Sequence, residues 1–277
     1  MSKASQQRAM RKLVFTLIGW VVGLLMAFPI LWMALTAFKT ERQAVETPPA
    51  LFFHPTLESF ATVLATTNYL RFVFNSVAIA GGATLLSVAL ALPCAYAMAF
   101  HPSPRTKGIL MWMLSTKMMP AVGVLVPIYL LFRNLHLLDT RTGMIGIYTL
   151  MNLPIVIWML YSFFRDVPHD IVEAGLLDGA NTRQQILRLL LPLTAPGVAA
   201  TILLNLVLCW NEAFWSINLT ATNAAPLTAF IATFSSPEGL FWAKLSAASL
   251  LAVAPIMVVG LATQRHLVSG LTFGAVK

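Results

Sequence analysis

The sequence predicts an all-α integral membrane protein with six transmembrane helices and both termini in the cytoplasm. Two observations carry that prediction. Of 277 residues, 58% are apolar and only 10% charged, with a mean hydropathy of +0.78, whereas a soluble domain carries about 25% charge. Stretches without charge, long enough for the roughly 20 residues that cross hydrocarbon, occupy residues 13–38, 72–100, 143–164, 189–211 and 245–264. A sixth, 108–132, is interrupted only by Lys117. Backbone polar groups in lipid must be satisfied within the chain, so these are helices. Barrel strands would be shorter and would alternate in polarity.

The elements follow in order. Residues 1–12 form a basic cytoplasmic tail. The apolar run after it exceeds the 7–15 residues of a signal-peptide core, so it reads as a retained first helix. Residues 39–70 are an external loop with Pro48, Pro49, His54 and Pro55, and a weak helical pattern near 57–70. The second and third spans are joined by a short basic loop, and the third and fourth by residues 133–142. A polar stretch, 165–192, precedes the fifth span. Residues 213–237 carry no charge, but they are rich in Thr, Asn, Ser and Ala and contain Pro226. They read as part of an external or re-entrant loop, 219–243, and not as a seventh helix. The sixth span leads to a cytoplasmic tail, 265–277. No internal repeat is present, and residues 1–277 read as a single domain.

A net charge of +8 raises the possibility of a nucleic-acid partner. The basic residues are instead scattered among the loops. With the N-terminus inside, 11 of them fall on the cytoplasmic side and 6 outside, the bias that orients membrane proteins. Cys94 and Cys209 both lie in apolar spans, and no Cys or His cluster suggests a disulfide or a metal. No phosphate-binding G-x-x-x-x-G-K-[ST] loop occurs. Catalytic residues, cofactors and metals are therefore expected to be absent.

The polar stretch 165–192 has an internal logic. Asp170 with Glu173 three residues on is a variant capping box. Ile171, Val172, Leu176 and Leu177 supply an apolar side. Gly179 ends the first helix, and Thr182 with Gln185 opens a second that runs to Pro192. The result is two short helices meeting at a glycine, with small residues at Ala174, Gly175, Gly179 and Ala180 that let a partner approach closely. An amphipathic pair lying on the lipid surface is the alternative.

The spacing Glu173-Ala174-Gly175, three residues, Gly179, nine residues, Leu189-x-Leu191-Pro192 resembles the EAA loop of ABC importer permeases. Gly175 replaces the second Ala, and Leu189 stands where Ile is usual. Further likenesses are Phe38-Lys39-Thr40-Glu41 with Thr47-Pro48-Pro49, Trp210-Asn211-Glu212, and the tail from Gly270 to Lys277. These resemble the carbohydrate-uptake permeases, specifically the G-type subunit of maltose systems. Residues 115–120 and 235–240 are most similar to the polyol (mannitol and sorbitol) branch. The resemblance implies a multi-pass subunit of the bacterial inner membrane. It also implies a second, non-identical permease, an ATPase homodimer, an extracytoplasmic solute-binding protein and a small polyhydroxylated substrate. It assigns Glu173, Ala174, Gly175, Asp178, Gly179 and Ala180 to ATPase docking. It assigns Ala224, Ala225, Pro226, Leu227 and Thr228 to contact with the binding protein.

Polar residues inside apolar spans are candidates for the solute path, because they are costly unless they face protein or water. Lys117 lies about 14 Å into the third span, and Glu212 about 24 Å up the fifth, which argues against their pairing. Lys117 reads either as a gate or as an interhelical donor to carbonyls freed near Pro120. Asn205, Trp210, Asn211, Glu212 and Trp215 on the fifth span, with Asn152 on the fourth, offer apolar faces and polar groups suited to a hydroxyl-rich solute. An aromatic belt at the outer interface is the other reading of the tryptophans. A secondary transporter with ion coupling is the competing function. It would favour repeats and midplane carboxylates, and Glu212 is the one acid expected inside a span.

Overall fold

The computed structural model describes residues 3–66, 68–236 and 239–272, and side chains within 10–65, 68–235 and 241–261. The described chain is helical apart from one two-residue antiparallel ladder, Ser235–Ser236 against Gly239–Leu240. Among the described residues four helices are long and apolar enough to cross a membrane, or up to six if each of two bent pairs is one span. The chain divides into two compact units, residues 1–68 with 234–251 and residues 69–233 with 252–277.

In the first unit, α1 (Lys3–Ala37) presents apolar side chains outward from Met10 to Leu35, as expected of a span surrounded by lipid or other protein. Lys39, just beyond it, is buried, its ammonium 4.9 Å from the Trp32 ring and 5.1 Å from that of Phe53. Two faces of π density replace part of the hydration the charge gives up. A capping box between Thr40 and Gln43 starts α2 (Glu41–Val45). The Glu41 carboxylate accepts from the backbone N–H groups of Ala243 (3.1 Å) and Lys244 (2.9 Å). A negative group thus sits on the positive end of the last long helix. The weak pattern near 57–70 is realised as α3 (Glu58–Thr66).

The second unit is built on α4 (Tyr69–Phe100), α5 (Thr106–Thr116), α6 (Ala121–Asn134) and α7 (Arg141–Arg165). These are followed by α8 (His169–Leu177), α9 (Thr182–Leu193) and α10 (Ala195–Trp210). On α4 the buried face is small or polar: Asn75, Ser76, Ala80, Ala83, Thr84, Ser87, Ala91, Ala95 and Ala99. Leu85, Leu86 and Leu90 point away from the protein. In a membrane, lipid is as apolar as leucine, so close backbone approach and polar contacts hold helices together. Gly197 brings α10 against α7 in the same way. A Cβ there would lie 2.4 Å from Cγ of Phe163.

Two expectations need correction. Residues 108–132 are not one straight span: α5 and α6 meet at 88°. Pro120 caps α6 in an extended conformation (φ −60°, ψ 122°). Its ring has no N–H and disfavours a helical residue before it. The second bend, 90° between α9 and α10, falls at Thr194, in keeping with a fifth span that follows the polar stretch, but α10 ends at Trp210, so Asn211, Glu212 and Trp215, expected on that span, lie beyond it. Between α10 and the last helix lie α11 (Phe214–Leu219) and α12 (Leu227–Ala232), each six residues and too short to cross a bilayer. The last helix, α13 (Trp242–Thr272), continues through the first part of the expected tail. Residues 273–277 of that tail, and 237–238 of the polyol-like segment, lie outside the described residues.

Candidate functional site

The polar stretch folds as a helical elbow. Asp170 is not the cap of α8, as the sequence suggested. Pro168 takes that place, and Asp170 lies in the first turn, where its charge still favours the helix N-terminus. Gly179 adopts φ +79°. Its N–H bonds to Leu176 O (3.0 Å) and the Ala180 N–H to Gly175 O (2.9 Å), a Schellman termination. The second helix opens one residue earlier than expected, with a capping box between Asn181 and Gln184.

Burial divides the apolar residues of α8. Val172 is buried with Tyr96, Ala99, Phe164, Ile186 and Leu190. Leu176 and Leu177 are exposed, the latter at 89%. Glu173, Ala174, Asp178 and Gly179 are exposed beside them, and Gly175 and Ala180 are half-buried. A cleft of about 310 Å³ is lined by Gly175, Asp178, Gly179, Ala180, Gln184, Gln185, Arg188 and Leu189. The six expected docking residues are therefore contiguous, and four of them form the outer rim.

Two side chains anchor this elbow, and one of them, Gln185, was expected only as the capping partner of Thr182. Gln185 is fully buried. It donates through Nε2 to Ala180 O (3.1 Å) and accepts at Oε1 from the Tyr96 hydroxyl of α4. His169, at the start of α8, packs edge-on to Phe100, 5.3 Å between centroids. Gln185 also opens a π-helical turn, Gln185–Leu190. Its signal in the sequence was a glutamine on the apolar side of a helix.

The expected solute-path residues do not converge on one pocket. Lys117 Nζ donates to Asn152 Oδ1 (2.8 Å), and Asn152 Nδ2 to Cys209 Sγ (3.3 Å). This polar line joins the end of α5 to α7 and α10. It makes Lys117 an interhelical donor, to a side-chain amide and not to carbonyls near Pro120. Asn205 is buried, bonded to Thr84 Oγ1 (3.2 Å), with its own Oδ1 unpartnered. Trp210 donates to Ala252 O (3.2 Å). Asn211 is exposed and bonded to Val207 O of its own helix (2.9 Å). The Glu212 carboxylate, one residue before the Ala213 cap of α11, accepts from Trp215 N in its first turn (3.0 Å). The Glu212 carbonyl accepts from Tyr148 (3.1 Å) and Thr228 (2.9 Å) hydroxyls. Trp215 is buried with its indole N–H unpartnered.

At the other end of α4, the segment after α11 is clamped. The Asp139 carboxylate accepts from the backbone N–H groups of Ala221, Thr222, Asn223 and Ala224 at 2.9–3.1 Å. Burial opposes ionisation of Asp139, but the four donors outweigh it and hold the carboxyl at about 2. Asn75 donates to Asn223 O (3.0 Å) and Ala225 O (2.9 Å), and Ser76 accepts from Leu227 N (2.8 Å). Arg71 bonds to Asn223 Oδ1 (2.7 Å). Ala224, Ala225, Pro226 and Leu227 are buried and Thr228 is half-buried. The segment expected to reach outward therefore faces the protein, because its backbone and side chains are consumed by α4. Its exposed residues are Ala221, Thr222 and Asn223. Among the described residues no group of three or more His, Cys, Asp and Glu comes together to hold a metal.

The fold is an all-α membrane fold with an exposed elbow between its spans. Residues 91–272 match the family described as binding-protein-dependent transport system inner membrane component, and the chain belongs to that family. It is a multi-pass permease subunit of the ABC type in the bacterial inner membrane, not an enzyme. It is 32% identical over 99% of both chains to a probable ABC transporter permease of Sinorhizobium fredii. It is 31% identical, over 93% of this chain and 86% of the relative, to a diacetylchitobiose uptake system permease of Streptomyces coelicolor. Its fold is similar to a chain in the crystal structure of a bacterial ABC transporter involved in alginate import, with a TM-score of 0.75 at 19% identity over 96% of this chain and 98% of that one. Family membership sets aside the ion-coupled secondary transporter.

Proposed function

We propose that this chain is the membrane-spanning subunit of an ATP-driven importer for a sugar or sugar alcohol. It works with a second, non-identical permease, an ATPase homodimer and an extracytoplasmic solute-binding protein. The elbow carries this reading. Val172 and Gln185 fix it to the spans, while Glu173, Ala174, Leu177, Asp178 and Gly179 are left exposed. An 89% exposed leucine beside a carboxylate and two small residues suits a protein partner that covers the leucine and approaches the glycine closely. The carbohydrate class is supported by the relative named for diacetylchitobiose uptake. The polyol branch rests on residues 115–120 and 235–240 alone.

For the solute path we assign contact roles to Lys117, Asn211 and Glu212. Asn152, Asn205, Trp210 and Trp215 act through helix packing, since they are bonded to neighbouring helices or buried. On the outer face, contact with the binding protein is assigned to Ala221, Thr222 and Asn223, with residues 224–228 as their support. The test is uptake by the reconstituted complex with a panel of labelled disaccharides, hexitols and amino acids. Uptake of a carbohydrate or hexitol alone is expected, and it should stop when Glu173→Lys detaches the ATPase. Uptake of amino acids instead would overturn the solute class. Unchanged uptake by Glu173→Lys would overturn the docking assignment.

A further inference from the structure

The coupling elbow does not grip every span equally. Within the second unit both of its arms close on one helix end. His169 of α8 packs against Phe100 of α4, 5.3 Å between centroids. Gln185 of α9 bonds to Tyr96 of α4 and, through its other amide atom, to Ala180 O at the bend. Tyr96 and Gln185 are both buried, at 4% and 0% exposure, where a hydrogen bond is not exchanged for one with water. Gln185 also begins a π-helical turn, a departure from helix geometry that is frequent at functional sites.

The far end of the same helix holds the outer segment. Asn75 and Ser76 bond to the backbone of Asn223, Ala225 and Leu227. Between Asn75 and Tyr96 α4 is unbroken, and the two positions are about 32 Å apart along its axis. Its small-residue face is buried along that length. Pro93, within this stretch, has no N–H to give the helix ladder, yet the helix runs on through it to Phe100.

We infer that Tyr96 and Gln185 are the positioning pair through which displacement of the elbow is carried into α4, and along α4 to the outer segment at residues 221–227. The inference rests on the docking role proposed for the elbow. It goes beyond that role in naming which helix receives the motion and by which contact.

The experiment uses the complete reconstituted importer with its binding protein. Solute imported per ATP hydrolysed is measured for Tyr96→Phe, Gln185→Met and the double variant, with Glu173→Lys alongside. Tyr96→Phe removes one hydroxyl and leaves the packing. Both single variants are expected to assemble in wild-type amounts and hydrolyse ATP at the basal rate. Import per ATP should fall about fivefold, the factor one net hydrogen bond represents, and the double variant should be no worse than either single one. Wild-type import per ATP in both single variants overturns the inference. So does a loss of assembled complex with an unchanged ratio, which is what a merely structural contact gives. If Glu173→Lys is uncoupled while Tyr96→Phe is normal, the pairing fails and the docking role stands. If Glu173→Lys imports normally, both fall.

Discussion

Asp139 holds Asn223: the carboxylate of the first lies 2.9 Å from the backbone nitrogen of the second, 84 residues away. The bond is one of a set, since the N–H groups of residues 221, 222 and 224 point at the same two oxygens. Asp139 reaches them from a left-handed conformation, φ 54°, which aspartate tolerates better than most residues. A turn between two helices is thereby tied to residues 221–227, which α4 holds from the other side.

The first prediction concerns this clamp and pH. The Asp139 carboxyl is lowered to about 2 from an ordinary 3.8. A depressed carboxyl contributes stability above its unfolded value, and loses it as pH falls through the folded one. The clamp is therefore expected to be constant from neutrality down to about pH 4 and to weaken between about 4 and 2. Asp139→Asn should lose charge-assisted bonds worth about 1 kcal/mol in sum after solvent screening. Limited proteolysis at residues 221–223 should then rise at neutral pH, with wild-type expression. Unchanged cleavage would show that Asn75 and Ser76 hold the segment without it.

Much of this fold was legible because bilayers constrain composition. The spans, the absence of a seventh one and the glycine turn at 179 all follow from hydropathy or from one residue's backbone freedom. The direction of the chain was not legible. A hydropathy window over 108–132 is blind to the 88° bend, because the residues on both sides of Pro120 are equally apolar. The elbow's second cap was misplaced by one residue because Asn181 and Thr182 are both good caps, and Gln184 and Gln185 can each close the box. Asp139, Asn75 and the anchoring role of Gln185 escaped for another reason. Their partners lie between 5 and 150 residues away, and nothing local marks a carboxylate aimed at a distant backbone.

The second prediction is on packing. Gly197 leaves no room for a side chain against Phe163. Gly197→Ala should cost about 1–3 kcal/mol by overpacking and lower the melting temperature of the purified complex. Adding Phe163→Leu should restore part of it. If the double variant is no more stable than Gly197→Ala, the close approach of α7 and α10 is not what the glycine serves.

The third prediction separates the members of the polar line. Lys117→Met removes a charge, whereas Asn152→Leu leaves the Lys117 ammonium without its bond partner. An unpartnered charge in a partly buried site costs more than its removal. Asn152→Leu is therefore expected to reduce import about tenfold or more, and Lys117→Met less. The double variant should resemble Lys117→Met. Uptake at matched expression distinguishes the cases, and equal losses in all three would reduce the line to packing.

The fourth prediction asks why residue 179 is glycine. Its φ of +79° favours glycine for the backbone alone, and a Cβ there would meet nothing within 4 Å in this chain. Two demands are therefore separable. Gly179→Ala strains the turn by about 1–2 kcal/mol, while Gly179→Asn accepts the left-handed conformation at small cost. If the glycine served only the turn, asparagine would restore function where alanine does not. If the ATPase approaches the bend closely, as proposed, both side chains intrude. The expected result is near-wild-type stability for Gly179→Asn, and loss of co-purifying ATPase in both variants. Wild-type recovery of the ATPase with Gly179→Asn would confine residue 179 to turn formation and shift the docking contact to Glu173, Ala174 and Leu177.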